Sequence, residues 1–331
     1  MPIAESDISI LIPTYRYREK VGRAVDAALA SGAGEIIVTD DRSGDGTIEL
    51  LAGYDDPRLR VYENARNLGL WENHLAALGY ATKPWIKFIQ ADDYLLPGGL
   101  SHYAAAADAA VSVVWSNPLV IEDATGATRQ NHKVTQPWRL DGEAYLDLAI
   151  RSCWVLGSPS QVLVRADALP RDPAAWITEI SADVVFGAIA ASRGDVVLLP
   201  TGGVVHTEHA GQDSNTQGTL RGLRRLVATV RYLRDRPEPA VRRFGTLWAA
   251  ALRRTTWRTA LSGILRSDMG PAEALGLALR AERCGLGSLA DPRDRRRIRE
   301  GRAFRRHDRQ PHDIDAILTR AGIAPARSAA E

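Results

Sequence analysis

The chain has 331 residues, 45% hydrophobic and 25% charged, with a formal net charge of +2. That is an ordinary soluble globular composition, long enough for one large domain plus an appendage. Two distant cysteines, Cys153 and Cys284, exclude a disulfide framework and a zinc spacing and suit a reducing compartment. No run of about 18 apolar residues marks a membrane span, and MPIAESDISILIP lacks the basic-then-apolar pattern of a signal peptide. The small net charge conceals a split. Residues 219–331 carry 25 Arg, no Lys and 12 acids, net +13, whereas residues 1–218 carry 17 basic and 28 acidic residues, net −11. Two functional regions are expected, the second facing something anionic.

Residues 8–12, ISILI, are a continuous apolar run, the pattern of a strand covered on both faces. Helical periodicity follows over 19–30 and stops at Gly32 and Gly34. A second strand, 35–39, ends on Asp40-Asp41, and a Gly- and Asp-rich turn opens into a short helix. Residues 59–62 are a third strand, 64–69 a loop, 70–81 a helix and 85–89 a fourth strand. Helix 97–108 and a single strand over 111–121 come next. Residues 122–140 are a long polar segment, a loop or hairpin. A helix over 141–151, a turn at 157–160, a strand over 161–165, a helix over 181–191 and a strand over 196–199 complete this part. Beyond about 219 the chain is helical and arginine-rich.

This alternation predicts an α/β nucleotide-binding fold with a largely parallel sheet. Ligands bind such sheets at the carboxyl ends of the strands. Pro13-Thr14, Asp40-Asp41 and Asp92-Asp93 all fall at those ends, so three strands deliver polar groups to one rim. A buried strand has no packing reason to run into two adjacent carboxylates. Asp92 and Asp93 are therefore read as a site for Mg²⁺ or Mn²⁺, which hard oxygen ligands suit, or else as turn and cap residues before the next helix. Other motifs fail. DRSGDG at 41–46 starts like a calcium loop, but its twelfth position is Ala52 rather than Glu. HTE at 206–208 has no P-C-x-x-C after it, and neither G-x-G-x-x-G nor G-x-x-x-x-G-K-[ST] occurs.

The surviving motifs, in this order and spacing, resemble glycosyltransferase family 2, inverting enzymes of the GT-A fold, over about residues 8–215. They are ISILIPTYRYREKVGRAVDAAL, IIVTDDRSGDGT, NARNLGLWEN, QADDYLLPGGL, GSPSQVLVRADAL and HAGQDS. The bacterial polysaccharide-type members are the most similar. Arg16 stands where the family has Asn, Gln90 replaces the outermost acid of the metal motif, and Thr207 replaces an Arg. The resemblance implies a GT-A domain over 1–218 and a basic, mainly helical region over 219–331. It implies Pro13, Thr14, Tyr15, Asp40, Asp41, Asn67, Asn73 and Asp92 as substrate-binding residues and Asp93 and His209 as metal ligands, with Gln212 and Ser214 in the same late motif. The resemblance also implies Asp183, at the start of a helix that Ser181 can cap, as the general base, with Glu179 as its substitute.

The expected activity is transfer of a sugar from a nucleotide-sugar donor to an acceptor hydroxyl, in surface polysaccharide or glycoconjugate synthesis. The acceptor can be a lipid-linked saccharide. Glycosylation of a secondary metabolite and a non-catalytic nucleotide-binding scaffold are the alternatives. The amphipathic basic helices at 220–235 and 244–265 pack their apolar faces on the catalytic domain or on a second subunit as a homodimer, or else attach to an anionic membrane. No nucleic-acid-binding module is present. The expected location is the cytoplasm, with peripheral contact at the inner face of the membrane.

Overall fold

The computed structural model describes residues 1–130, 134–152, 158–212, 219–265, 270–285, 291–304, 314–320 and 322–326. The first half alternates as the pattern demands: β1 (Ile8–Thr14), α1 (Arg18–Leu29), β2 (Glu35–Asp40), α2 (Thr47–Leu51), β3 (Leu59–Glu63), α3 (Leu70–Tyr80) and β4 (Trp85–Phe88). All seven residues of β1 are buried. Side chains of a strand alternate between its faces. Accordingly Ile8, Ile10 and Ile12 join Ile36, Val38 and α1 residues in one core, while Leu11 and Ile37 join Ala77, Leu78 and Phe88 in the other.

The chain continues through β5 (Tyr94–Leu95), α4 (Gly99–Ala106), β6 (Val111–Ser116), β7 (Leu119–Glu122), β8 (Thr128–Gln130) and β9 (Trp138–Leu140). Next come α5 (Gly142–Ser152), β10 (Val162–Arg165), α6 (Ala182–Ala191), β11 (Asp195–Leu199) and β12 (Val204–Glu208). The main sheet has the order β3-β2-β1-β4-β10-β6-β11-β9. Its β3-β2-β1-β4 half is wholly parallel, and β10 inserts antiparallel between β4 and β6.

Three departures from the sequence reading concern the second half. The single strand expected over 111–121 is two strands in different sheets. Pro118 lacks a backbone N–H and restricts Asn117 before it, and the Asn117 amide instead donates to the carbonyls of Val134 and Pro200, both at 2.7 Å. The polar segment 122–140 supplies β8, which forms the expected hairpin with β7, but it also adds β9 to the main sheet. Two strands were not anticipated, β5 and β12, which pair with each other and put β12 beside the acidic turn after β4. Gly203 (φ 67°) permits this approach, because a Cβ there would lie 2.4 Å from the Gly99 Cα.

The C-terminal region forms α7 (Thr219–Arg234), α8 (Pro239–Leu265), α9 (Pro271–Gly285), α10 (Pro292–Phe304) and α11 (Ile314–Arg320). Val230, Leu233, Phe244 and Leu247 are buried in the same core as Trp176 and Phe186. Leu223 and Val227 pack with Ala260, Ala274 and Leu277. These apolar residues are thus directed into the protein, while Leu261 and Leu265 of α8 and Leu275 and Leu279 of α9 stay exposed, and α11 is tied down by Asp315, which accepts from the Thr135 N–H at 2.8 Å. Among the described residues, no helix is long and apolar enough to cross a membrane.

Candidate active site

A cavity of about 900 Å³ opens at the carboxyl ends of β1, β2 and β4. Pro13, Thr14, Tyr15, Asp41, Asn67, Asn73, Asp92, Asp93 and Asp183 all line it. Asp40 and His209, also expected in the site, are not among its lining residues.

The two acids after β2 divide their tasks. Asp40 is fully buried and closes the following turn, accepting from the Ser43 N–H at 2.8 Å and the Ser43 hydroxyl at 2.5 Å. Asp41 lines the cavity and organises the 64–69 loop, accepting from the N–H groups of Leu68 (2.7 Å) and Gly69 (2.8 Å) and from the Asn64 amide (2.9 Å). Asn67 donates to the Asp41 carbonyl at 3.1 Å. Asn73 is buried, and its amide donates to the carbonyls of Thr14 (3.3 Å) and Thr39 (3.0 Å), stapling β1 to β2. Thr14 differs. It is buried at the cavity wall and its hydroxyl has no protein partner among the described residues, so it is open to a ligand. Arg16, where the family resemblance expects Asn, takes φ 57°, a left-handed conformation that Asn adopts more readily, and its N–H donates to the Ser43 hydroxyl at 2.7 Å.

The turn after β4 holds the acidic pair. Asp93 is 1% exposed. It accepts from the Thr207 N–H at 2.9 Å and lies 3.3 Å from His206 Nδ1. Asp92 faces His209, with Oδ2 2.9 Å from Nε2, and the Tyr17 hydroxyl is 3.3 Å from the same nitrogen. Arg23 of α1 donates to the Asp92 carbonyl and to the Thr207 hydroxyl, both at 3.2 Å. Burial and the adjacent Asp93 charge push the Asp92 carboxyl above its ordinary range. Burial pulls His206 down, but the hydrogen bond to Asp93 and the surrounding acids outweigh it and raise its pKa.

This donor set fits a hard divalent cation. A positive ion relieves the like-charge and burial cost that Asp92 bears, and such ions accept one or two carboxylates when phosphate oxygens and water fill the remaining positions. Among the described residues, no group of three or more His, Cys, Asp or Glu is arranged to hold an ion unaided. The expected Asp93 and His209 belong to two neighbouring pairs, Asp93 with His206 and Asp92 with His209, rather than to one.

Asp183 stands in the first turn of α6 and lines the cavity. Burial raises its pKa, opposed by its own and the Val184 N–H and by the Arg225 charge. The expected Ser181 side-chain cap does not form. Instead the Ser181 N–H donates to the Thr229 hydroxyl of α7 at 2.8 Å. Glu179 is exposed and does not line the cavity. Gln212 lines it and donates to the Thr207 carbonyl at 2.5 Å, whereas Ser214 and Gly157 lie outside the described residues.

Sequence reasoning missed several lining residues: Tyr17, Thr178, His206, Arg221 and Arg225. The His206-Thr207-Glu208-His209 run held the signal for His206, since period-2 alternation puts His206 and Thr207 on opposite faces of a strand. The two arginines had no distinguishing signal in a region with 25 of them.

The profile of Glycosyl transferase family 2 matches residues 9–169. That stretch is a glycosyltransferase family 2 domain. Its relatives include the succinoglycan biosynthesis proteins ExoO and ExoU of Rhizobium meliloti. ExoO is 34% identical over 106 residues, 31% of this chain and 30% of that protein, and ExoU is 34% identical over 102 residues, 29% of each. The match therefore spans under a third of the length of these relatives. The fold is GT-A. A crystal structure of S. aureus TarS 1-349 in complex with UDP-GlcNAc superimposes with a TM-score of 0.65 at 18% identity, covering 92% of this chain and 91% of that one. The mannosyltransferase PcManGT of Pyrobaculum calidifontis, in complex with GDP-Man and Mn²⁺, gives 0.52 at 16% identity, covering 94% and 90%. At these identities the likeness is one of fold. The family 2 domain ends before Asp183 and β12, so the late part of the cavity comes from outside the matched residues.

Proposed function

We propose that this protein is a metal-dependent glycosyltransferase that moves a sugar from a nucleotide-sugar donor to an acceptor hydroxyl with inversion, in bacterial surface polysaccharide or glycoconjugate synthesis. The observation that carries the reading is a single cavity joining three strand ends, the Asp92-Asp93 pair and Asp183. The family 2 match and the succinoglycan relatives support the sugar-transfer class and the setting. The fold neighbours bound to UDP-GlcNAc and to GDP-Man with Mn²⁺ support a nucleotide-sugar donor and a divalent ion.

In this reading Thr14, Tyr15, Asp41 and Asn67 line the nucleoside end. Asp93, with Asp92 and the adjoining His209, would hold Mg²⁺ or Mn²⁺, whose charge supplies neutralisation at the leaving diphosphate. Asp183 takes the proton of the attacking hydroxyl. Its raised pKa favours that role, because a base works best when its proton affinity approaches that of the medium.

The test is a thermal-shift panel of UDP, GDP and dTDP and their common sugar conjugates, with and without Mn²⁺. One nucleotide should stabilise the protein only with metal present, by about 2.7 kcal/mol at a hundredfold excess over its dissociation constant. Asp93→Ala should abolish the shift. No shift with any nucleotide, metal included, would sink the donor-site reading.

A further inference from the structure

We infer that the acceptor carries an oxyanion group, phosphate or carboxylate, and that Arg221 and Arg225 of α7 bind it beside Asp183. The inference names the acceptor class of the proposed reaction and rests on that proposal. Both arginines line the cavity, together with Thr178, Ser181 and Asp183. Four residues apart on a helix, they share one face. Arg225 is oriented by its Nε, which donates to the Thr178 carbonyl at 3.2 Å, and its charge acts on Asp183. Arg221 is exposed, and among the described residues it makes no hydrogen bond or ion pair.

Its neighbours behave otherwise. Arg224 pairs with Glu273, Arg236 with Glu238, Arg243 with Asp294 and Arg297 with Asp147. These arginines of the helical region are paired with acids, whereas Arg221 and Arg225 line the cavity. They are badly placed for a bare general base, since positive charge beside Asp183 lowers its affinity for a proton. An anion held between them offsets that field. Guanidinium forks bind carboxylate and phosphate in bidentate fashion, which fixes orientation as well as affinity.

The group belongs to the acceptor because of where the arginines stand. The donor diphosphate belongs to the Asp92-Asp93 side, which β4 and β12 build. Arg221 and Arg225 arrive on α7, with the Thr178–Asp183 segment, where the attacking hydroxyl must lie.

The experiment titrates inorganic phosphate and, separately, acetate into the full chain, with and without a saturating nucleotide diphosphate and Mn²⁺. Calorimetry supplies the affinities and thermal melts check folding. At least one probe should bind the nucleotide-loaded protein. Arg221→Gln, an exposed position, should weaken that binding about tenfold to a hundredfold with an unchanged melting midpoint and nucleotide affinity. Phosphate against acetate then identifies the oxyanion. The inference is overturned if neither probe binds the loaded protein. It is equally overturned if phosphate competes with the nucleotide and Arg221→Gln weakens nucleotide binding to the same degree, which would assign the arginines to the donor. A chain that binds no nucleotide but takes up phosphate through Arg221 would remove the donor reading and keep the anion site.

Discussion

Asp183 sets the first test at the scale of a single residue. Asp183→Asn keeps the shape of the α6 start and removes the proton acceptor. Turnover of the donor should fall by about 10²–10⁴ while nucleotide binding stays intact, a split that a non-catalytic scaffold would not show. His74 sets a second, unrelated to chemistry. It is fully buried, hydrogen-bonded to the Leu70 carbonyl at 2.7 Å and packed on Trp71 and Phe88. Burial pulls its pKa from 6.5 to about 4. Between those values the unfolded chain binds the extra proton and the folded one does not, so stability falls as pH drops through that window. The loss is on the order of 3 kcal/mol. Denaturation midpoints measured from pH 7 to pH 4 should show this slope, and His74→Gln should flatten it. Lys87 belongs to the same class of residue. It is fully buried in a strand, held well below the ordinary lysine pKa by burial, and donates to the Val162 carbonyl at 3.3 Å. A sequence pattern of apolar alternation marks such positions as core without saying how the polar tip is satisfied.

Elements meet at the site through hydrogen bonds that cross from the catalytic part to the C-terminal helices. Thr229 of α7 accepts from the Ser181 N–H immediately ahead of α6 and donates to the Arg225 carbonyl at 2.7 Å. Thr229→Val preserves the volume and deletes both bonds, leaving the half-buried Ser181 N–H unpaired at a cost of about 1 kcal/mol. The melting midpoint should fall by several degrees, and turnover should drop more than nucleotide affinity, because α6 carries Asp183 and not the donor end. Equal loss of both would mean that α7 supports the whole cavity rather than its acceptor side. At this scale the sequence was legible where an element is local. Strands β1, β2 and β4 and helices α1, α3 and α6 follow from runs and periodicities within a dozen residues. It was not legible for β5 and β12, which are short and exist because they pair with each other across more than 100 residues.

At the scale of the whole molecule, one of the two cores flanking the main sheet ignores the charge boundary at 218/219. Val230, Leu233, Phe244 and Leu247 complete the packing around Phe186 and Trp176. Burying four such side chains is worth about 1.5–3 kcal/mol each, comparable with the entire stability of a domain, about 5–15 kcal/mol. A chain ending at residue 218 should therefore fail to give a cooperative melt and should elute as aggregate in size-exclusion chromatography. A monomeric 1–218 that melts cooperatively and binds nucleotide would contradict this and restore the helical region as an appendage.

By itself the sequence determined the strand–helix alternation, the acid-ended strands and the GT-A resemblance, because each depends on residues close together in the chain. Tertiary structure alone decided how like residues divide. Asp40 closes a turn while its neighbour Asp41 lines the cavity. Asp93 meets His206 and Asp92 meets His209. Among the described residues of the C-terminal helices, Arg221 and Arg225 line the site. Those outcomes depend on which segments pack together from distant parts of the chain, and no local pattern carries that information.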